Sequence, residues 1–442
     1  MTTLNGAPRA PRTGPRLAAV AQFRGWRALR HRNYRLFFAG QLVSLIGTWM
    51  QSVAQGWLVL QLTGDPVYLG LVAVAQFTPV LLLGLFGGVL ADGLPKRRTL
   101  IVTQSISMLL AFALFGLTVT DNVGVEQVLV LALLLGVVNA VDMPTRQAFA
   151  VEMVGREDIG NAVALNSAVF NGARVVGPAI AGLTIGATGI ASAFLINGVS
   201  FLAVIVAYLR MGDEQLAGAP RLARPSTFSG VMTHLRAGLA FVRATPAVLV
   251  PILTIGLVST FGMNFNVLIP PLAKDVLHVG ATGYGFLMAA SGLGSLVAAI
   301  SIAFGRSNRV ILIGVGATLT GVAELVLAAS GSMALSLVAM LLTGFGAIGM
   351  AATANTTIQL TVPDELRGRV MSVYTTVFAG STPVGGLVAG ALASRLGVAE
   401  AIAIGAVLSL IVGLVVMAWY RRAGEAGMAG MTGGTRARFG AP

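Results

Sequence analysis

Gln41, Ser44, Thr48, Gln51 and Gln55 recur at alternating intervals of three and four residues inside an otherwise apolar run. That period places all five on one face of an α-helix. An amide or hydroxyl turned toward hydrocarbon would lose its hydrogen bonds, so the stripe must face either a watery passage or another helix. Gln41, Thr48, Gln51 and Gln55 are therefore candidates to bind a polar or amphipathic solute, with hydrogen bonding between helices as the competing reading. Asp142 and Arg146 stand four apart, an ion-pair spacing on a helix. Arg174 lies deep in another apolar run, where a charge costs about 2.5–3.5 kcal/mol on insertion scales. It must face inward. There it meets an anionic or polar solute, pairs with an acid during a working cycle, or cross-links neighbouring amides and carbonyls. Asn171, one turn before it, and Asn355 and Gln359 on a later run complete the polar set.

Other chemistries find little here. The 442 residues contain no cysteine, so disulfides, thiolate metal sites and cysteine nucleophiles are excluded. His31, His234 and His278 have no metal-ligand spacing, so no metal site is expected. No GxxxxGK[ST] phosphate loop is present, which leaves ATP hydrolysis without a site. No cluster of acids or histidines suggests an enzyme, and no cofactor is implied. Glu324, near the end of an apolar run, is expected to snorkel to the surface.

The elements that must carry these residues are membrane helices. Residues of the AVILMFWYC class make up 56% and charged residues 10%, against about 25% charged in a soluble domain. Apolar runs long enough to span a bilayer fall at Tyr34–Leu60, Val67–Leu90, Leu100–Val119, Val128–Ala148, Ala162–Ile185 and Ala191–Met211. Six more follow at Ala247–Leu272, Tyr284–Phe304, Val310–Ala329, Met333–Ile358, Val370–Ala393 and Val398–Trp419. The reading is an all-α membrane protein of twelve transmembrane helices, arranged as two six-helix bundles. Its parts are a basic tail (1–33), a first bundle (34–211), a linker (212–246), a second bundle (247–421) and a flexible tail (422–442). Within the linker, Phe228–Val242 has the mixed apolar and basic character of an amphipathic surface helix.

The net charge of +13 would fit nucleic acid, but position speaks against it. Of the 29 basic residues, all except Lys274, Arg395 and Arg174 fall in loops, tails or span ends on one side. The positive-inside rule then puts both termini in the cytoplasm. No apolar region and cleavage site precede Tyr34, so the arginines from Arg9 to Arg35 read as a cytoplasmic lead-in to an uncleaved first span.

The halves repeat. A shift of 208 residues aligns Ser167–Gly182 with Thr375–Gly390 without a gap, matching Val169, Phe170, Gly172, Val176, Gly177, Ala181 and Gly182 to identical residues. Gly136, Val154, Glu157 and Gly160 match Gly344, Val362, Glu365 and Gly368 at the same shift. Parallel repeats about an axis along the membrane normal are a transporter plan, with the substrate between them.

Two motifs sharpen this. Gly88-Val-Leu-Ala-Asp92-Gly-Leu-Pro-Lys96-Arg97-Arg98 sits between spans two and three, and Gly172-Ala-Arg174-Val-Val-Gly177-Pro178-Ala-Ile-Ala-Gly182 lies in span five. The first resembles the loop signature G-x-x-x-D-[RK]-x-G-[RK]-[RK] of the major facilitator superfamily, with Gly93 and Pro95 replacing its first base and second glycine. The second resembles the Gly-Pro motif of that superfamily's exporters. Arg30–Thr63, Pro144–Ala148 and Pro363–Met371 are similar to a bacterial branch that includes the enterobactin exporter and macrolide efflux pumps. The resemblance covers nearly all of Arg30–Tyr420. It implies a conformational latch at Gly88, Asp92, Lys96 and Arg97, working against the inner end of span eleven. It also implies a cavity lined by spans one, four, seven and ten. Together with the residues it implies an exporter of antibiotic-like or siderophore-like small molecules, driven by proton antiport with Asp142 and Arg146 in the coupling step. Such a chain would act as a monomer in the cytoplasmic membrane, in contact with lipid. An importer on the same fold and a non-transporting receptor are the alternatives.

Overall fold

The computed structural model describes residues 23–212, 228–304 and 310–425, with side chains described throughout except at 23–25, 85–92, 156, 228–235, 303–304 and 423–425. The rest of the basic tail, Arg221 and Arg224 of the linker, and the tail beyond Glu425 lie outside the described residues.

Apolar runs with no polar alternative for their backbone groups fold as helices, and no strand occurs among the described residues. Among the same residues, eleven helices are long and apolar enough to cross a membrane, and a shorter apolar helix, Leu312–Ala328, sits where the ninth span is expected. The spans are one (Arg32–Thr63), two (Val67–Gly84, continuing as helix to Gly93), three (Lys96–Val119), four (Val125–Gly155), five (Glu157–Thr188) and six (Ile190–Leu209). Then come seven (Pro246–Val276), eight (Gly280–Ile302), nine (Leu312–Ala328), ten (Met333–Thr361), eleven (Asp364–Leu396) and twelve (Val398–Arg422). Side chains such as Leu109, Leu183, Val338 and Val415 are more than half exposed. A soluble monomer does not present such patches; here they form the belt that meets lipid.

One pair of repeat-related glycines takes the same conformation. Gly189 joins spans five and six at φ 87°, ψ 170°, and Gly397, 208 residues on, joins spans eleven and twelve at φ 107°, ψ 159°. Each turns the chain within a single residue in a region open to glycine. The packing follows the same relation. Gly177 of span five lies against Trp49 and Ile46 of span one, as Gly385 of span eleven lies against Thr260 and Asn264 of span seven. Gly182 meets Gly285 of span eight, as Gly390 meets Pro66 and Val67 of span two. The second pair of contacts crosses between the halves.

Two features depart from the expected runs. Spans four and five form one helical path, Val125–Thr188, interrupted only at Gly155 (φ 71°), so no loop separates them. Span seven, expected to be continuous from Ala247 to Leu272, is broken: Pro246–Phe261 stops, and Phe265–Pro271 begins after Asn264, passing into a π-turn at Leu272–Val276. Asn264 Nδ2 donates to the Thr260 carbonyl at 2.7 Å, meeting one of the carbonyls freed at the break.

The core is distributed unevenly along the membrane normal. One apolar cluster bridges the halves through Met50, Ala54 and Trp57 of span one, Leu268 and Ile269 of span seven, Tyr284 of span eight and Ala389 of span eleven. Trp57 stacks on Tyr284 at 6.1 Å. Toward the end bearing Arg32, Lys96 and Arg243, the core divides. Tyr34, Leu100, Phe149 and Tyr208 belong to the first half, and Val248, Ile255, Met350 and Val370 to the second. The halves are therefore sealed together at the far end and separate toward the basic end.

Candidate functional site

The seal ends near mid-membrane, where Pro178 shapes span five. A proline has no N–H to give the carbonyl four residues earlier, and that carbonyl belongs to Arg174. The Arg174 backbone lies against Gly292 of span eight, where a methyl group would stand 2.6 Å from the carbonyl oxygen. Span five thus turns Gly177 to span one and the Arg174 and Pro178 carbonyls to span eight. Between those two directions lies the opening between the halves, and helical geometry turns Phe170, Asn171 and Arg174 into it. The Arg174 guanidinium sits 5.7 Å from the Trp49 ring centroid, a cation–π distance. Phe170 meets the same ring edge-on at 5.7 Å and remains 46% exposed. Among the described residues, no ion pair or hydrogen bond engages the Arg174 side chain.

At the repeat-related position of the second half, Phe378 is 39% exposed and stacked on Tyr374 at 6.3 Å. Thr382 takes the place of Arg174 in the second half. Each half therefore carries an exposed aromatic side chain at this repeat position, and the first half adds a cation.

The stripe on span one is divided between two uses. Thr48 is exposed and bonds back to the Ser44 carbonyl at 2.9 Å. Gln41, Ser44, Gln51 and Gln55 are buried. Gln51 Oε1 accepts from Asn197 Nδ2 of span six at 2.6 Å, and Gln41 accepts from Arg146 Nη1 at 3.2 Å while its amide faces Tyr208. Gly47 completes this face by packing on Asn197 and Ser200. Asn171 donates to the Ser167 carbonyl, and Gln359 donates to Asn355 Oδ1 at 2.5 Å nearer the basic end.

Asp142 is 1% exposed and accepts from Thr103 Oγ1 at 2.7 Å, from Gln104 Nε2 at 2.9 Å and from the Arg146 guanidinium. Arg146 links this carboxylate to span one through Gln41, so one charge pair ties spans one, three and four. At the basic rim, Lys96 pairs with Glu152 at 2.7 Å, and Arg97 donates to the Tyr208 and Leu209 carbonyls that end span six. Gly88 and Asp92 lie in the last turns of the span-two helix, and the Asp92 side chain lies outside those described. Within the Gly-Pro motif, Gly172 faces open space, whereas Gly177 and Gly182 are close contacts with spans one and eight.

Sequence reasoning missed three features. The aromatic walls were hidden in the repeat match, where Phe170 aligns with Phe378. Asn197 and Tyr208, the partners of the glutamines, gave no periodic signal. Glu324 does not snorkel: it is 3% exposed, and its Oε2 atom is buried without a hydrogen-bond partner. It points inward because Gly262 leaves room at the span-seven break.

The chain has sequence relatives along most of its length. It is 31% identical over 373 residues to the multidrug efflux pump Tap of Mycolicibacterium fortuitum, covering 82% of this chain and 89% of that protein. Identity to the staphyloferrin A transporter of Staphylococcus aureus is 23% over 391 residues, covering 86% and 94%. The macrolide efflux protein A of Streptococcus pyogenes is 21% identical over 385 residues, covering 84% and 92%. Among solved structures, the nucleoside transporter NupG, as its D323A mutant, superimposes with a TM-score of 0.70 at 12% identity, over 88% of this chain and 99% of that one. A bacterial homolog of the human lysosomal transporter Spinster gives 0.68 at 14% identity, covering 90% and 98%. The transmembrane secretion effector family model matches residues 23–431, and the chain, a multi-pass membrane protein of the major facilitator fold, belongs to that family of transporters.

Proposed function

We propose that this protein exports amphipathic small molecules, antibiotic-like or siderophore-like, across the cytoplasmic membrane by alternating access coupled to proton antiport. The carrying observation is the Arg174 guanidinium over Trp49, in an opening that the apolar seal closes at one end. A cation with no fixed counter-ion, flanked by exposed aromatic faces, suits a solute that combines an apolar body with carboxylate or other oxygen acceptors. Thr48, Asn171 and Asn355 supply further polar contacts, and Gln41, Gln51 and Gln55 act mainly by holding span one against its neighbours. With the basic end in the cytoplasm, by the positive-inside rule, the described state is open inward and ready to load. Spans one to six and seven to twelve rock about the seams formed by spans five with eight and two with eleven. Asp142 and Arg146 take part in coupling, and Asp92 latches the rim. The relatives, a multidrug pump, a siderophore transporter and a macrolide efflux protein, support export and leave the solute open.

Everted membrane vesicles test direction and coupling together. Energised with an acid interior, vesicles containing the protein should accumulate a carboxylate siderophore or a macrolide, and a protonophore should release it. Solute leaving the vesicles under the same gradient would establish import, and unchanged flux would support a receptor.

A further inference from the structure

At the break in span seven, two buried polar atoms lack partners and converge on one point. Glu324 Oε2 of span nine and Ser409 Oγ of span twelve are both buried without a hydrogen bond. Gly262, at the break in span seven, lies between them: a methyl group there would stand 3.2 Å from Glu324 Oε2 and 3.1 Å from the Val258 carbonyl oxygen, and would collide with Ser409 Oγ. Beside them is a cavity of about 10 Å³, lined by Phe261, Gly262, Phe265, Glu324, Leu327 and Ile402, near the size that holds one water. Among the described residues, no other charge is close. The first part of span seven (Pro246–Phe261) and span ten contain no Asp, Glu, Lys, Arg or His. On span seven beyond the break, Lys274 and Asp275 lie in the terminal π-turn. On span twelve, Glu400 precedes Ser409 by nine positions, about 14 Å of helix, and Arg421 and Arg422 lie farther still at the other end.

We infer that Glu324 is a proton-binding site whose charge state controls the break in span seven. An ionised carboxylate with no partner is strongly disfavoured in this setting, so the sealed state holds Glu324 as the neutral acid. Loss of the proton demands water, and the cavity can admit more only if Phe265–Pro271 moves away from Phe261. Phe265, Leu268 and Ile269 of that segment line the cavity and also belong to the apolar seal between the halves. Deprotonation at Glu324 therefore loosens the far end, and protonation closes it. For transport the inference rests on the antiport reading, since it gives the coupling ion a second address besides Asp142. The site itself needs no substrate.

The absence of native cysteine allows a clean test. Asp121→Cys and Gly331→Cys, in exposed turns of the two halves at the far end, are spin-labelled in the full chain in nanodiscs, and the distance between them is followed from acid to alkaline pH. The wild-type background should widen as pH rises, Glu324→Gln should stay at the short acid distance throughout, and Glu324→Asp should respond with a displaced midpoint. Widening of Glu324→Gln like the wild type would overturn the proposal, as would a wild-type distance that ignores pH. Infrared difference spectra of the wild-type background, acid minus alkaline, give a reading independent of how Glu324→Gln folds; absence of a protonated-carboxyl band that Glu324→Asp displaces would also overturn it. Closure by sodium at constant alkaline pH, lost in Glu324→Gln, would replace the proton with a metal cation and refute the assignment. An intact pH response beside inert everted vesicles would sink the antiport reading alone.

Discussion

At the scale of residues, the proposed solute contact rests on Arg174 and the polar scaffold on Asp142. Hydrogen bonds to charged groups contribute about 1.5–3 kcal/mol. Arg174→Gln should therefore raise KM for a carboxylate-bearing solute about tenfold or more, and Arg174→Lys by less. Proteoliposome kinetics check this, and unchanged KM and turnover in both variants would return Arg174 to a packing role. Asp142→Asn leaves the partly buried Arg146 without its counter-charge, a change that typically costs about 3–5 kcal/mol. It should lower the melting temperature in detergent, and adding Arg146→Gln should recover part of the loss. A variant as stable as wild type that no longer moves protons would instead favour Asp142 as a carrier. The period of three and four was legible on span one, but which polar group met water was not. Thr48 is exposed while Gln51 is bound to Asn197, and that division depends on span six, more than a hundred residues away.

At the scale of elements, glycine and proline determine how closely spans approach. Gly292→Ala would drive a methyl group into the Arg174 carbonyl, and overpacking of this kind costs about 1–3 kcal/mol. The seam between spans five and eight should weaken, shifting the spin-label distance across the far end toward the wide state. Gly172→Ala, with nothing within 4 Å of the added methyl, should leave that distance unchanged; a shift would show that Gly172 acts in another state of the cycle. Span existence was legible from the apolar runs, because lipid permits little besides helix. The break in span seven was not. Gly262, Met263 and Asn264 include no proline and no charge, and the interruption at Gly262 depends on Gly405, Ser409 and Glu324 packing around it from spans nine and twelve.

At the scale of the whole molecule, the cycle requires two states of similar free energy, and the described one is sealed at the far end and parted at the basic end. Asp92→Asn, on the parted rim, should slow turnover severalfold while membrane insertion and folding stay intact, as stopped-flow transport and size-exclusion profiles would report. Wild-type turnover would remove the latch role. The sequence by itself determined the membrane class, the number of runs, the crowding of positive charge at one end and the internal repeat, because each follows from composition and local period. Gly189 and Gly397 carry that repeat into the backbone itself. Only the tertiary structure decided which amides are spent inside the first half, that Glu324 is buried at a broken helix, and that the halves part toward one end. Those outcomes are set by contacts between distant segments, and a side chain's neighbours across a helix seam leave no trace in its own stretch of chain.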